Sequence, residues 1–210
     1  MSRLHGLAVT YKIGLELIYA GGLPFVGALI AEGHDVFLDA KLHDIPNTVE
    51  RATAAIAALG ASFLTVHGTD SKTMDAAIRG RGESAMKLLA VTVLTSLDAA
   101  DLRQQGVAGA PADVVLHRAR LASEAGFDGV VASAEEARCI RDTLGRDLLI
   151  VTPGIRPAGT VAADQARTAT PIEALRAGAD YLVIGRPITA ADDPLSAAQA
   201  ILHEMNAAAL

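Results

Sequence analysis

Short apolar runs rich in Val, Ile and Leu alternate along the chain with longer, Ala-rich stretches of helical period. The runs predict strands of a parallel sheet, and the stretches predict helices that cover it. Seven strands are predicted: Ala8–Ile13, Val36–Ala40, Phe63–His67, Leu88–Leu94, Gly129–Ala132, Leu148–Thr152 and Tyr181–Ile184. The predicted helices are Pro24–Glu32, Thr48–Leu59, Ser71–Arg79, Pro111–Ala125, Ala134–Leu144, Thr170–Ala177 and Asp192–Ala207. This alternation predicts an α/β fold made of consecutive βα units.

Composition narrows the class of protein. The 210 residues fit one barrel-like domain spanning residues 1–210, and 51% apolar residues with only 3% aromatics predict an aliphatic core. A net charge of −6 argues against a nucleic-acid surface. Neither a membrane-length apolar run nor a signal sequence is evident, so we expect a cytoplasmic protein without a membrane partner. The lone Cys139 argues against disulfides and structural zinc, and we expect a buried apolar thiol and no metal site.

The segment Asp39–Thr48, DAKLHDIPNT, places two carboxylates and a lysine within six positions, directly behind the apolar run Val36–Leu38. Because side chains alternate along a strand, Asp39 and Lys41 are predicted to point to the same side. Asp44 follows at the strand exit, and Pro46 suits the first turn of the next helix. A solvated turn with a surface salt bridge is the alternative interpretation.

Other polar residues also follow predicted strand ends. In a (β/α)8 barrel the carboxyl ends of the strands form the active face. Arg156 and the Gly185-Arg186 pair follow the last two strands, where barrels often bind phosphate through backbone N–H groups and arginine. The pattern therefore predicts a phosphate site at these loops.

Several motifs resemble the bacterial form of the orotidine 5′-phosphate decarboxylase family: YKIGLEL (Tyr11–Leu17), DAKLHDIPNT, VTVLTS (Val91–Ser96), TPGIRP (Thr152–Pro157), Asp164-Gln165 and YLVIGRP (Tyr181–Pro187). The resemblance implies a (β/α)8 TIM barrel and a lyase that converts orotidine 5′-phosphate to UMP in pyrimidine biosynthesis. It also implies catalysis without a cofactor and a homodimer with shared active sites.

The same resemblance implies a role for each site residue. The family's Lys-Asp-Lys-Asp tetrad corresponds to Lys12, Asp39, Lys41 and Asp44. Lys41 would offset negative charge at C6 and deliver a proton, and Asp44 with Thr48 would reach the neighbouring subunit's site. Thr95 and Ser96 would contact the pyrimidine. The residues implied to hold the 5′-phosphate are Arg156, Gln165, Gly185 and Arg186.

Seven predicted strands are one fewer than this barrel needs. The first strand of the family, which ends in a ribose-contacting Asp, and most of the first helix are expected to be missing from this chain, through a late start site or a truncation. Two alternatives therefore stay open: a non-catalytic truncated barrel that binds nucleotide phosphate, and a related sugar-phosphate decarboxylase or synthase. Magnesium dependence would support the latter.

Overall fold

The computed structural model describes residues 4, 6–8, 10–157 and 168–207. Its strands are β1 Thr10–Gly14, β2 Asp35–Leu42, β3 Phe63–His67, β4 Lys87–Val91, β5 Gly129–Val131, β6 Leu149–Thr152 and β7 Tyr181–Leu182. They follow chain order in one seven-stranded sheet. Its α-helices are α1 Leu15–Leu17, α2 Leu23–Ala31, α3 Pro46–Leu59, α4 Ser71–Arg81, α5 Ala99–Gln104, α6 Pro111–Glu124, α7 Ala134–Leu144, α8 Pro171–Arg176, α9 Arg186–Thr189 and α10 Pro194–Ala207. The predicted alternation of strands and helices is confirmed.

Two compact units divide the described residues. The first unit runs from β1 to Thr92 and includes Arg118–Val130. The second comprises the described residues up to Ala8, Val93–His117 and the described residues from Val131 onward. That the chain is a single domain stays a prediction.

In the first unit, β1 to β4 pair in parallel, with Thr10 opposite Asp35, Phe37 opposite Phe63 and Phe63 opposite Lys87. Successive residues of β2, β3 and β4 are buried, so both faces of these strands are covered. The core of this unit is aliphatic, as the composition predicts; among its fully buried side chains are Leu29, Val36, Leu38, Leu64, Leu88 and Leu89.

The helices of the first unit start and stop where local chemistry requires. Pro46 lies in the first turn of α3, as predicted, and Gly60 ends the helix with a φ of 91°. The carboxylate of Asp70 caps α4 by accepting a hydrogen bond from the backbone N–H of Thr73 at 2.9 Å. These caps position the loops that follow β2 and β3.

In the second unit, β6 and β7 pair in parallel through Val151 with Tyr181 and Thr152 with Leu182. The guanidinium of Arg141 donates to the carboxylate of Asp180 at 2.6 Å, and that carboxylate accepts from the N–H of Ile150 at 2.7 Å. This bond between the side chain of Asp180 and the backbone of β6 fixes the start of β7.

Some boundaries differ from the prediction. Strand β4 ends at Val91 rather than Leu94, because the carbonyl of Thr92 accepts a hydrogen bond from Arg118 at 2.5 Å instead of continuing the ladder. The short helices α1, α5 and α9 were not predicted. The prediction of a buried Cys139 is wrong: its side chain is exposed on α7.

Candidate active site

A buried carboxylate between two ammonium groups marks the end of β2. Asp39 is only 8% exposed. Its Oδ2 accepts from the Nζ of Lys12 on β1 at 2.8 Å, and its Oδ1 accepts from the Nζ of Lys41 at 2.8 Å. The structure therefore places three of the four predicted tetrad residues in one contiguous charged cluster within the first unit.

The backbone of β2 is irregular at this cluster. Leu38 pairs with Leu64 and Leu42 with Val66, so residues 39–41 of β2 lie opposite the single residue Thr65 of β3. Lys41 takes a positive φ of 47°, and among the described residues it is the one non-glycine to do so. A lysine in this left-handed region is strained by roughly 1–3 kcal/mol, and such strain is concentrated at functional sites. The bulge, rather than simple strand alternation, brings the Lys41 ammonium onto Asp39.

Thr65 fills the gap that the bulge leaves. Its Oγ1 accepts from the backbone N–H of Lys41 at 2.9 Å and donates to the Oδ1 of Asp39 at 2.9 Å. Thr65 was not predicted as a site residue, although a polar residue within a strand buried on both faces needs a hydrogen-bond partner. That requirement is the signal that could have identified it.

The electrostatics of the cluster favour its charged form. Burial by itself would raise the pKa of Asp39, but the Lys12 and Lys41 ammonium groups outweigh burial and hold that pKa below its ordinary value. The carboxylate therefore stays ionised at neutral pH, and its two oxygens accept charge-assisted hydrogen bonds from Lys12 and Lys41.

The fourth tetrad residue lies apart from the other three. Asp44 is exposed and accepts a hydrogen bond from the N–H of Ile45 at 2.7 Å. Across the described ranges, no ion pair joins Asp44 to a lysine of the same chain. Thr48, on the first turn of α3, is also exposed.

Two histidines accompany the cluster in the first unit. The rings of His43 and His67 lie 5.4 Å apart, and the His43 Nε2 is 3.4 Å from the Thr69 hydroxyl. Burial, followed by the positive charges of His43, Lys41 and Arg118, lowers the pKa of His67. At neutral pH His67 is therefore uncharged.

The predicted phosphate and pyrimidine residues belong to the second unit. The backbone N–H of Arg156 donates to the carbonyl of Ala169 at 2.9 Å, and its Nη1 donates to the carbonyl of Ile155 at 2.8 Å. Gly185 immediately precedes α9, of which Arg186 is the first residue, and both are exposed. Thr95 is half-buried and Ser96 is exposed. Gln165 lies outside the described residues.

The first-unit cluster can stabilise a developing negative charge. The Lys41 ammonium is fixed by its own carboxylate partner and by a strained backbone, so little reorganisation is needed when charge appears on a bound ligand. Such an array at the end of a parallel strand is suited to an enzyme whose bound substrate develops negative charge.

Comparison with known proteins identifies the family. The family model described as "Orotidine 5'-phosphate decarboxylase / HUMPS family" matches residues 2–201. The orotidine 5′-phosphate decarboxylase of Rhodopseudomonas palustris (strain BisA53) is 55% identical over 98% of this chain and 87% of the relative. That of Nitrobacter winogradskyi is 57% identical over 93% of this chain and 81% of the relative. The chain belongs to the orotidine 5′-phosphate decarboxylase / HUMPS family.

A solved structure supports the predicted fold class. The crystal structure of orotidine 5′-phosphate decarboxylase from Lactobacillus acidophilus superposes with a TM-score of 0.81 at 41% identity, covering 93% of this chain and 86% of that one. An uncharacterized conserved protein from Geobacillus kaustophilus gives a TM-score of 0.83 at 38% identity, with 98% and 93% covered. The α/β fold is thus the fold of this family. The described residues form seven strands that follow chain order in one sheet.

Proposed function

We propose that this protein decarboxylates orotidine 5′-phosphate to UMP in pyrimidine biosynthesis. The observation that carries the proposal is the Lys12–Asp39–Lys41 cluster, with both ammonium groups 2.8 Å from one buried carboxylate. Relatives more than half identical to this chain are named orotidine 5′-phosphate decarboxylase. The cluster supplies the fixed positive charge that this reaction requires.

The chemistry demands electrostatic help. The bond between C6 and the carboxylate carbon breaks, CO2 leaves, and the electron pair stays on C6 in the plane of the ring, where the π system cannot delocalise it. In the proposed reaction the Lys41 ammonium faces C6, stabilises this carbanion and transfers a proton to it. Lys41 then regains a proton from water.

Asp39 holds the Lys41 ammonium in place, and Lys12 in turn holds Asp39. Opposite charges about 4 Å apart attract by roughly 4 kcal/mol at an effective dielectric of 20, so each close contact of Asp39 matters. Because Oδ1 holds Lys41 and Oδ2 holds Lys12, the carboxylate cannot rotate without losing a contact. Asp39 would also lie near the departing carboxylate of the substrate.

Substrate binding is assigned to the residues that the family resemblance identifies. We assign the 5′-phosphate to Arg156, Gln165, Gly185 and Arg186, and the pyrimidine to Thr95 and Ser96. The backbone bond from Arg156 to Ala169 supports this assignment, because it fixes the point where the arginine leaves the strand end. An arginine held in this way can present its remaining donors to a phosphate as a preformed fork.

We further infer a homodimer in which Asp44 and Thr48 serve the partner's site. Both residues are exposed beside Ile45, whose side chain is 67% exposed. More exposed apolar side chains follow β1 in the same unit: Leu15, Leu17, Tyr19, Leu23 and Phe25. An apolar set of this kind is typical of a protein interface. The tetrad would then be completed across subunits.

Mixing inactive variants tests the shared site. Lys41→Ala and Asp44→Ala chains are each expected to be inactive, but a mixed dimer contains one site with both residues intact. Activity should therefore reappear on mixing. Formation of mixed dimers without any recovery would contradict the shared site.

Turnover by the purified protein tests the proposed function itself. The absorbance of orotidine 5′-phosphate should decline with equimolar release of CO2, at the same rate with and without a chelator. Turnover of a sugar phosphate that requires magnesium, with no loss of orotidylate, would instead support the sugar-phosphate branch. Binding of UMP without turnover would support a non-catalytic barrel. None of the helices in the described residues is long and apolar enough to cross a membrane; a cytoplasmic location stays a prediction.

A further inference from the structure

Thr65 joins the two ends of the β2 bulge through one buried hydroxyl. The residue is fully buried, with no exposed surface. Its Oγ1 accepts from the Lys41 N–H and donates to the Asp39 Oδ1, while that same oxygen also accepts from the Lys41 Nζ. The four groups form a closed ring in which the hydroxyl is the single link contributed by another strand.

We propose that Thr65 is a positioning residue that sets the Asp39 carboxylate and the backbone of Lys41 for the reaction. This inference rests on the proposed function of Lys41 and Asp39. Nothing in the assigned machinery requires a residue on β3, and Thr65 would act through its two partners rather than by touching the substrate.

Each of the two hydrogen bonds of the Thr65 hydroxyl restrains one of its partners, the Lys41 backbone or the Asp39 carboxylate. The φ of 47° at Lys41 is unfavourable for a side chain with a Cβ, and the bond to the Lys41 N–H holds the backbone in that conformation. The second bond restrains the Asp39 Oδ1, the oxygen that holds the reacting ammonium. A hydroxyl is needed because one atom must accept from an N–H and donate to a carboxylate.

The hydroxyl also stabilises the ionised form of Asp39. The charged and titratable groups that interact with Asp39 are Lys12 from β1, Lys41 from β2 and His67 from β3. Removing the O–H donor takes away one bond to the carboxylate, so the pKa of Asp39 should rise and the acidic limb of the rate profile should move to higher pH.

Three substitutions separate positioning from packing. Thr65→Val keeps the shape but removes the hydroxyl, and Thr65→Ser keeps the hydroxyl but removes the methyl group. Thr53→Val is the matched control, because Thr53 on α3 is equally buried and its Oγ1 has no partner within the described residues. A buried hydroxyl without a partner should be removable at little cost.

The expected result is a decrease in kcat of roughly 10- to 100-fold for Thr65→Val with KM little changed, since a bond to a charged group is lost. Thr65→Ser should recover most of the rate, and Thr53→Val should match wild type. Wild-type kcat in Thr65→Val, or an equal defect in Thr65→Ser, would overturn the proposal.

A titration independent of turnover completes the test. The Asp39 carboxyl carbon, assigned by comparison with Asp39→Asn, is followed by ¹³C NMR against pH in wild type and Thr65→Val. The pKa of Asp39 should be higher in Thr65→Val, and an unchanged value would overturn the proposal. Absence of wild-type turnover would refute the proposed function, whereas the titration still decides whether Thr65 stabilises the Asp39 carboxylate.

Discussion

Removal of Lys12 should destabilise the folded protein far more than removal of an equally close surface cation. The Nζ of Lys12 lies 2.8 Å from a carboxylate oxygen of Asp39, whose side chain is only 11% exposed. At an effective dielectric of about 20, Coulomb's law gives this contact about 6 kcal/mol. Because the Lys12 side chain is 34% exposed, solvent screening lowers the expected loss for Lys12→Met to about 2–4 kcal/mol.

The matched control is Arg79→Met. Arg79 also lies 2.8 Å from a carboxylate, that of Glu50, but these side chains are 54% and 42% exposed. An exposed ion pair contributes about 0–1 kcal/mol. The two variants thus compare the same distance in two environments, and denaturant unfolding at neutral pH measures both free energies of unfolding.

The pH dependence of the free energy of unfolding provides a second, independent test of the Lys12 prediction. In wild type the pKa of Asp39 is lowered, so its stabilising contribution is present above the unfolded pKa of about 3.9 and disappears as pH falls through the lowered value. In Lys12→Met only the Lys41 ammonium still opposes the effect of burial, so the pKa of Asp39 should rise. The difference in stability between wild type and Lys12→Met should therefore be greatest near pH 7 and shrink as pH falls below about 4. Equal losses in Lys12→Met and Arg79→Met, or a difference that does not change with pH, would show that the buried ion pair does not stabilise the fold as predicted.

Three further predictions concern the first unit. Burial and nearby positive charge lower the pKa of His67, so the unfolded state binds a proton at this residue more readily than the folded state. The free energy of unfolding should therefore fall as pH decreases below about 6.5, and His67→Asn should flatten this dependence in denaturant titrations. Asp70→Ala removes the cap of α4 and should cost about 1 kcal/mol in unfolding free energy, whereas Asp70→Asn should retain most of it. Gly80→Ala should lower the free energy of unfolding by about 1–3 kcal/mol, because a Cβ there would lie 2.2 Å from the carbonyl oxygen of Glu50. Gly27→Ala, with open space around the added methyl group, should be neutral or stabilising. Calorimetry measures both variants, and equal effects would contradict the close approach at Gly80.

Much of the fold follows from sequence pattern. The strand and helix types were predicted because aliphatic runs and Ala-rich helical stretches alternate clearly, and Gly60 marks a helix end through its need for positive φ. The early end of β4 was not predictable, since it depends on the contact of Arg118 with the carbonyl of Thr92. That contact joins residues far apart in the chain, which local periodicity does not report.

The candidate site was only partly predictable for the same reason. Alternation predicts that Asp39 and Lys41 share a side, and their side chains do meet, but through a bulge that alternation does not include. Thr65 supplies the bond that holds the bulge, and its role depends on the register between β2 and β3. The family resemblance locates the residues of the tetrad, whereas the hydrogen bonds that orient them require coordinates.

The most direct test of the account compares wild type with Lys41→Ala. Release of CO2 and formation of UMP from orotidine 5′-phosphate are measured for both, together with calorimetric binding of UMP, and Lys72→Ala on the exposed face of α4 serves as the control. Wild type and the Lys72→Ala control should release equimolar CO2 and UMP, whereas Lys41→Ala should show no turnover above background despite retained UMP binding. Turnover by Lys41→Ala at a rate near that of wild type would contradict the central role of the Lys41 ammonium.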